Sequence, residues 1–213
     1  MAAHINESDE IIMSILQIDT SPRFDASNSR ILSNHLVDQL GGDSLVRRDL
    51  AENPLPPLSA EDLVALHGGS DNSNASLRTH LAISDQLIAE LKAADTLVIG
   101  MPVHNFSVPV VLKQWIDYVC RAGESFRYTA TGPEGLTGID SAWLIVAAGG
   151  VDIGGEIDFA SAYMAHICKF IGVKTVHIID ASGSKRTPEE VIAKGKARID
   201  ALLGTKTTAE TAA

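Results

Sequence analysis

The chain has 213 residues, of which 45% are hydrophobic and 21% charged, a balance typical of one soluble globular domain with a substantial core. Its net charge is −10 and its longest basic runs are the pairs Arg47-Arg48 and Lys185-Arg186, so it lacks the basic surface that nucleic acid binding requires. No apolar run reaches the ~18 residues of a membrane-spanning helix, which excludes a membrane-embedded class.

The N-terminal stretch MAAHINESDE is polar and acidic and lacks the layout of a signal peptide. Met13 offers an alternative translation start, so residues 1–10 are expected to be a disordered extension. The two cysteines, Cys120 and Cys168, are far apart and form no CxxC pair. Unpaired thiols in apolar segments favour a reducing, cytoplasmic location.

Five segments rich in apolar and β-branched residues predict strands. They are residues 11–19, 44–50, 95–102, 141–150 and 173–182. All but the second are apolar at consecutive positions, as strands covered on both faces are. The second segment alternates and is predicted at a sheet edge.

Segments whose apolar residues recur with helical spacing lie between and after these strands. The predicted helices cover residues 27–40, 77–94, 109–122, 158–172 and 187–204. Gly172 is a predicted C-cap, and Thr187 with Pro188 a predicted helix start. Residues 51–76, with three prolines, are predicted to be an irregular surface excursion, and residues 205–213 a disordered tail.

Strands that alternate with helices predict an α/β fold in which a parallel sheet carries helices on both faces. Five such units in one domain, here residues 11–204, fit a flavodoxin-like doubly wound sheet with strand order 2-1-3-4-5. In such sheets ligands bind outside the carboxyl ends of the strands. The segments that follow the strands are therefore the candidate site.

The segment after the first strand is rich in hydroxyl groups. It supplies Ser21, Ser27, Asn28 and Ser29 just before and within the start of a helix, where free amides and the helix dipole favour an anion. The segment matches neither GxGxxG nor GxxxxGK[ST], so it favours a monophosphate over a dinucleotide pyrophosphate or a triphosphate. The alternative is that Ser27 only caps the helix.

The segment after the third strand reads GMPVHNFSVPVVLKQWID. A tight connection, with Ser107 capping the helix and Phe106 packed inward, explains part of it. It leaves His104 and Asn105 unexplained, whereas a flat heteroaromatic ligand would need such donors and acceptors at its edge. After the fourth strand, Gly149 and Gly150 would let the backbone approach a ligand closely, or would simply form a flexible turn.

Nine of the ten aromatic residues lie between positions 106 and 170. This clustering predicts a site for flat molecules, an aromatic subunit interface, or both. The histidines show no metal-ligand spacing and no GxSxG motif is present, so a metal site and a serine hydrolase are disfavoured.

Four pieces in this order, PVHNF, RAGESFRYTATGPEGL, AAGG and FIGV, resemble the FMN-dependent NADH-azoreductase family of bacterial quinone reductases. The resemblance covers roughly residues 13–203 and implies a flavodoxin-like homodimer with one FMN per subunit. It also implies NADH or NADPH as electron donor and quinones or azo compounds as substrates. It implies no catalytic side chain, because the cofactor carries the chemistry.

The resemblance assigns residues to two roles. The implied FMN-binding residues are Ser21, Ser27, Asn28, Ser29, Met101, Pro102, Val103, His104, Asn105, Phe106, Ala147, Ala148, Gly149 and Gly150. The implied substrate-binding residues are Phe126, Tyr128 and Phe170. Two positions depart from the family pattern. His104 replaces a common Tyr, and Ala147-Ala148 replaces Ser-Arg; these departures bear on nucleotide choice and substrate range.

The leading hypothesis is an enzyme that reduces quinones and azo compounds by two-electron transfer in a ping-pong sequence. A flavodoxin-type electron carrier without its own catalysis is the alternative, and a ligand-sensing module is a third. The aromatic segment 118–128 and the excursion at 51–76 favour an enzyme with a covered pocket.

Overall fold

A computed structural model describes residues 13–41, 44–67, 75–183 and 186–210. The predicted disordered extension at residues 1–10 therefore lies outside the described residues, as do residues 211–213 of the predicted tail.

The five predicted strands form one parallel sheet. They are β1 (Ser14–Asp19), β2 (Ser44–Asp49), β3 (Thr96–Pro102), β6 (Ser141–Ala147) and β7 (Thr175–Asp180). The order is β2-β1-β3-β6-β7, which is the predicted 2-1-3-4-5 order, and every neighbouring pair is parallel. β2 lies at an edge, as its alternating pattern predicted.

Six helices accompany the strands in the part of the chain that the structure describes. They are α1 (Asn28–Leu40), α2 (Ala60–Leu66), α3 (Ala75–Lys92), α4 (Val110–Val119), α5 (Phe159–Phe170) and α6 (Pro188–Glu210). Alternate strand residues point to opposite faces, so Ile15 packs with α1 and α6, whereas Leu16 packs with α3, α4 and α5. Helices thus cover both faces of the sheet, as predicted.

The segment at residues 51–76 is more ordered than the sequence predicted. Within residues 51–76, α2 begins with a capping box in which Ser59 and Asp62 satisfy each other's amides. α6 continues through residues 205–210, and the disordered tail from residue 205 stays a prediction. No proline follows Gly204, and a single glycine costs only about 1 kcal/mol in a helix.

A two-stranded hairpin, β4 (Phe126–Thr129) and β5 (Gly132–Gly135), was not predicted. It packs against the end of α5 so closely that a Cβ on Gly135 would lie 2.0 Å from the Gly172 amide nitrogen. Gly172 follows the C-cap residue Ile171 instead of being the C-cap itself, and it has a φ of +106°. Both glycines are needed for this close approach.

No helix within the described ranges is both long enough and apolar enough to cross a membrane.

Candidate functional site

A cleft of about 380 Å³ lies at the carboxyl ends of β1, β3, β6 and β7. This volume falls in the range of small-molecule sites, roughly 300–1,000 Å³. Its lining residues are Ser21, Pro22, Arg23, Ala26, Ser27, Asn28, Pro102, Val103, His104, Ala147, Ala148, Gly149, Ala181, Gly183 and Pro188. Three segments predicted from separate stretches of sequence therefore meet at one site.

Most of the predicted cofactor residues line this cleft, but five do not. Ser29 and Met101 are fully buried beneath it. Asn105, Phe106 and Gly150 are exposed beside it. The five lie within two positions of lining residues in the sequence, so they belong to the same segments without forming the surface of the cleft.

The loop between β1 and α1, residues 20–27, carries hydroxyl groups that the protein leaves available. Ser27 occupies the N-cap position of α1 by its backbone, but its side chain makes no capping hydrogen bond. Its hydroxyl lies 3.1 Å from that of Ser29 instead. The alternative that Ser27 only caps the helix therefore does not account for its side chain.

Backbone donors accompany these hydroxyls. The first bond of α1 runs from the Ile31 amide to the Ser27 carbonyl at 3.0 Å. The three preceding amides of the helix have no acceptor inside it. Ser21 and Ser27 are both buried, with 4% and 5% of their surface exposed. The loop thus combines hydroxyl and amide donors at the positive end of a helix dipole, which favours an anion.

The connection between β3 and α4, residues 103–109, contains a two-residue turn. The His104 amide donates to the Ser107 carbonyl at 2.9 Å, and the Ser107 amide donates back at 3.0 Å. Asn105 and Phe106 at its centre have φ values of +47° and +69°, the left-handed pair of a type I′ turn. Asn tolerates this conformation, whereas it strains Phe.

The observed turn differs from the tight connection considered as an alternative. Phe106 is 49% exposed and does not pack inward. α4 begins at Val110 with Pro109 as its N-cap residue, so Ser107 does not cap it. The turn's bonds use the amides of His104 and Ser107, which leaves those of Asn105 and Phe106 without an acceptor among the described residues.

The end of β6 forms another wall. The Ala147 carbonyl accepts from the Val103 amide at 2.7 Å, and the Ala148 carbonyl accepts from the Gly183 amide at 2.9 Å. These bonds tie the wall to its neighbours on both sides. At Gly149 a Cβ would meet no atom within 4 Å, so this residue faces open space.

Two carboxyl groups near the cleft have shifted pKa values. Partial burial raises the pKa of Asp19, although Ser33 and Gln17 donate hydrogen bonds to it. Burial would also raise the pKa of Asp180, but bonds from Lys194 and Ser182 outweigh it and lower the value to about 2. Asp180 is thus a fixed negative charge beside the cleft.

The predicted substrate residues form one aromatic cluster on the hairpin and α5. The ring centroids of Phe126 and Phe170 lie 4.3 Å apart, and those of Phe126 and Tyr128 lie 5.4 Å apart, edge to face. Phe126 is buried, whereas Tyr128 is 75% exposed. Within the described part of a single chain, none of the three lines the cleft.

Sequence reasoning missed several lining residues. Ala181 and Gly183 follow β7, and the rule that the ends of parallel strands meet at one edge would have found them. Arg23 and Ala26 lie in the β1–α1 loop between the predicted serines. Ala26 has a φ of +56°, a feature that its residue type does not signal.

Comparisons with known proteins agree with this architecture. Residues 13–203 match the family described as having a flavodoxin-like fold. An FMN-dependent NADH:quinone oxidoreductase 1 of Jannaschia sp. (strain CCS1) is 43% identical over 188 residues, or 88% of this chain and 97% of that protein. A protein named FMN-dependent NADH:quinone oxidoreductase from Aromatoleum aromaticum is 40% identical, covering 90% of this chain and all of its own length.

Solved structures give the same fold. The azoreductase from Bacillus anthracis str. Sterne superimposes with a TM-score of 0.74 at 26% identity, over 89% of this chain and 98% of that one. An FMN-dependent NADH-azoreductase from Bacillus anthracis str. Ames Ancestor, solved in complex with FMN, gives a TM-score of 0.78 at 22% identity. The superposition covers 90% of this chain and 98% of that one. The chain belongs to the flavodoxin-like family that includes these FMN-dependent NADH:quinone oxidoreductases.

Proposed function

We propose that this protein is an FMN-dependent NADH:quinone oxidoreductase that also reduces azo compounds. The observation that carries the proposal is the cleft in which a loop with unused hydroxyl and amide donors meets an open wall from two further strand ends. The names of its relatives at about 40% identity support the same activity.

The residues present fit the phosphate of FMN. Ser21, Ser27 and Asn28 line the cleft at the start of α1, and Ser29 would support the Ser27 hydroxyl from below. The Ser27 side chain has no capping role in the protein, so its hydroxyl can donate to a phosphate oxygen. A monophosphate matches one helix N-terminus without a glycine-rich fingerprint.

The residues at the other strand ends fit a flat ring system. Pro102, Val103 and His104 would line one side of it, with the buried Met101 holding β3 in place. The amides of Asn105 and Phe106, together with the Asn105 carboxamide, would donate to its polar edge. Ala147, Ala148, Gly149 and Gly150 would form the opposing wall, where the absence of side-chain bulk leaves room.

When bound, FMN would supply the redox chemistry, because its ring accepts and donates two electrons as a hydride. The chain would position it, exclude water and admit the donor and the acceptor. NADH, or NADPH, and the quinone or azo compound would occupy the same cleft in turn. Phe126, Tyr128 and Phe170 would contribute an aromatic wall next to that cleft once two chains associate.

Steady-state kinetics tests this proposal. In the absence of oxygen, purified protein with FMN should oxidise NADH beyond one equivalent per flavin only when a quinone or azo dye is present as acceptor, and double-reciprocal plots at several acceptor concentrations should be parallel. NADH alone should bleach the flavin absorbance rapidly. A protein that binds FMN but is not reduced by NADH would instead be an electron carrier, and intersecting plots would contradict the shared site.

The active form is proposed to be a homodimer. Four large apolar side chains in the segments that follow the neighbouring strands β3 and β6, up to the first residues of α4 and α5, are strongly exposed: Phe106 at 49%, Val110 at 78%, Ile157 at 48% and Phe159 at 59%. Exposed apolar residues concentrated at one edge favour a protein interface. A second chain would cover them and bring its aromatic cluster to the cleft.

Sedimentation of charged variants tests the dimer. Val110→Glu should yield a monomer with reduced quinone turnover, because it places a charge in the proposed interface. Val64→Glu is the matched control, since Val64 is 66% exposed on α2 and is not one of these four residues. A wild-type protein that is monomeric and fully active at nanomolar concentration would contradict the proposal.

A cytoplasmic location is the final part of the proposal. Cys120 and Cys168 are both free thiols. Burial raises the pKa of each to about 12, so both stay protonated and unreactive at neutral pH. A compartment that keeps thiols reduced is consistent with this state.

A further inference from the structure

The β1–α1 loop is a thin wall between two cavities. The cleft described above lies in front of it. Behind it lies a second cavity of about 470 Å³, bounded by the ends of β1 and β2. Ala26 and Ser27 line both cavities. Because this loop has a cavity on each side, specific bonds are needed to fix its shape.

Arg30, in the first turn of α1, supplies those bonds from the rear. Its Nε and Nη2 atoms donate to the Ser21 carbonyl at 3.2 and 2.6 Å. Nη2 also donates to Asp49 Oδ1 at 2.9 Å, and Nη1 donates to the other carboxylate oxygen. The side chain is only 13% exposed. One guanidinium thus joins the loop to the end of β2 in a planar, two-pronged contact.

The other end of this contact is fixed as well. The Asp49 carboxylate accepts from the amides of Ala51 and Glu52, each at 3.1 Å. On the loop side, the Phe24 ring lies 5.0 Å from the guanidinium carbon of Arg30, within the distance of a cation–π contact. Arg30 therefore holds the loop at two points, Ser21 and Phe24.

The direction of these bonds decides what Arg30 does. Four of its five N–H groups are directed to Ser21 and Asp49, and Arg30 lines the rear cavity but not the cleft. It is therefore not placed to bind a ligand in the cleft directly. Its positive charge is balanced by the Asp49 carboxylate.

We propose that Arg30 is a positioning residue for phosphate recognition: with Asp49 as its anchor, it holds the Ser21–Ser27 loop in the shape that makes the chain select FMN over unphosphorylated riboflavin. The inference rests on the proposed function, because it assigns the phosphate to this loop. It predicts that losing Arg30 weakens only the binding that depends on the phosphate. A general loss of structure would weaken the binding of both flavins.

The test compares the affinities of apoprotein for FMN and riboflavin, measured by quenching of flavin fluorescence. Arg30→Met should weaken FMN binding roughly ten- to a hundredfold, as expected for lost charge-assisted bonds, and leave riboflavin binding unchanged. Arg30→Lys should restore part of the difference, because it keeps the charge without the two-pronged contact. Arg47→Met is the matched control, since Arg47 lines the same rear cavity but its side chain bonds, among the described residues, only to Asn34.

Each outcome decides a separate question. If Arg30→Met keeps the wild-type ratio of FMN to riboflavin affinity, or weakens both flavins equally, the positioning role is wrong. Asp49→Asn provides a second variant with the guanidinium intact, and it should lower the same ratio. A wild-type protein that binds neither flavin would contradict the proposed function itself, whatever the variants do.

Discussion

The two loops at the cleft, residues 20–27 after β1 and residues 103–107 after β3, are held in shape by different means. The first loop is fixed by side chains from outside itself, chiefly Arg30 and Asp49. The second is a self-contained turn closed by its own two backbone bonds. Its cost is strain, because Asn105 and Phe106 both have positive φ.

This difference indicates a division of roles. A loop supported by charged side chains presents hydroxyls and amides to an anion with one non-glycine residue at positive φ, Ala26, against two in the turn. A strained turn persists only where the surrounding structure or the function requires it, and here it exposes two amides and one aromatic ring beside the cleft. We therefore expect the first loop to determine cofactor affinity and the second to determine turnover.

The largest expected effect comes from removing the hydroxyls of the first loop. The double variant Ser27→Ala, Ser29→Ala should weaken FMN binding by about a hundredfold, because each hydrogen bond to a charged group contributes roughly 1.5–3 kcal/mol. Fluorescence titration of the apoprotein measures this loss. Ser44→Ala, at an exposed serine on β2, is the control. Unchanged FMN affinity in the double variant would show that this loop does not bind the phosphate.

The second effect sharpens the comparison at Asn105. Asn105→Gly removes the carboxamide but keeps a residue that favours positive φ. It should lower kcat by roughly tenfold and change FMN affinity less than about threefold, since the phosphate anchors the cofactor. Asn105→Ala should show the same loss of kcat with an additional loss of thermal stability. An Asn105→Gly protein that loses FMN but turns over normally when FMN is added would reverse the assigned roles.

A smaller effect concerns the strain at Phe106. Phe106→Gly and Phe106→Ala both remove the ring, but only glycine relieves the positive φ. The glycine variant should therefore unfold at the higher urea midpoint, with a difference of about 1 kcal/mol. Equal stability of the two variants would mean that the turn relaxes when the ring is removed, and that its shape is not imposed by the fold.

The smallest effect is on the pH dependence of stability, to which two carboxyl groups contribute with opposite sign. Burial raises the pKa of Asp19 in the folded protein. The wild type therefore loses stability as pH rises above about 3.9, the pKa of this group in the unfolded chain, because the buried carboxyl must then ionise. Partial burial alone would raise the pKa of Asp49, but the bonds from Arg30 and the Glu52 amide outweigh it and lower the value. Asp49 therefore contributes stability above its unfolded pKa that is lost as pH falls.

Urea unfolding of two variants between about pH 2 and about pH 7 checks these signs, since the Asp49 effect lies below its unfolded pKa and the Asp19 effect above it. As pH rises, the free energy of unfolding of Asp19→Asn should increase relative to that of the wild type. That of Asp49→Asn should decrease relative to the wild type. Parallel curves for Asp19→Asn and wild type across this range would show that the buried carboxyl titrates as it does in the unfolded chain.

The sequence predicted the parallel sheet and the three segments at its edge, because apolar strand patterns and strand-end positions depend on neighbours along the chain. It did not predict the hairpin, whose strand Gly132–Gly135 contains no β-branched residue. That hairpin depends on the close approach of Gly135 to Gly172, a contact between distant segments. The helix α2 within residues 51–76 was also not predicted, although the Ser59 and Asp62 capping box at its start is a local signal in the sequence.

Within the site, the serines and the His104-Asn105-Phe106 segment were predicted, but the Arg30–Asp49 contact was not. Arg30 follows the Ser-Asn-Ser group directly in sequence, whereas Asp49 lies 19 residues away on another strand. Only the strand order β2-β1-β3 brings them together. Likewise, the sequence grouped Phe126, Tyr128 and Phe170 by resemblance, but the burial of Phe126 follows from tertiary packing.

The identity of the cofactor tests the central claim most directly. The flavin released by heat from purified protein should have the mass of FMN and be present at about one per chain, because the β1–α1 loop offers one monophosphate site and no pyrophosphate fingerprint. Apoprotein should take up added FMN to the same ratio. Release of FAD or riboflavin, or failure of the apoprotein to bind FMN at all, would contradict the assignment of the cleft.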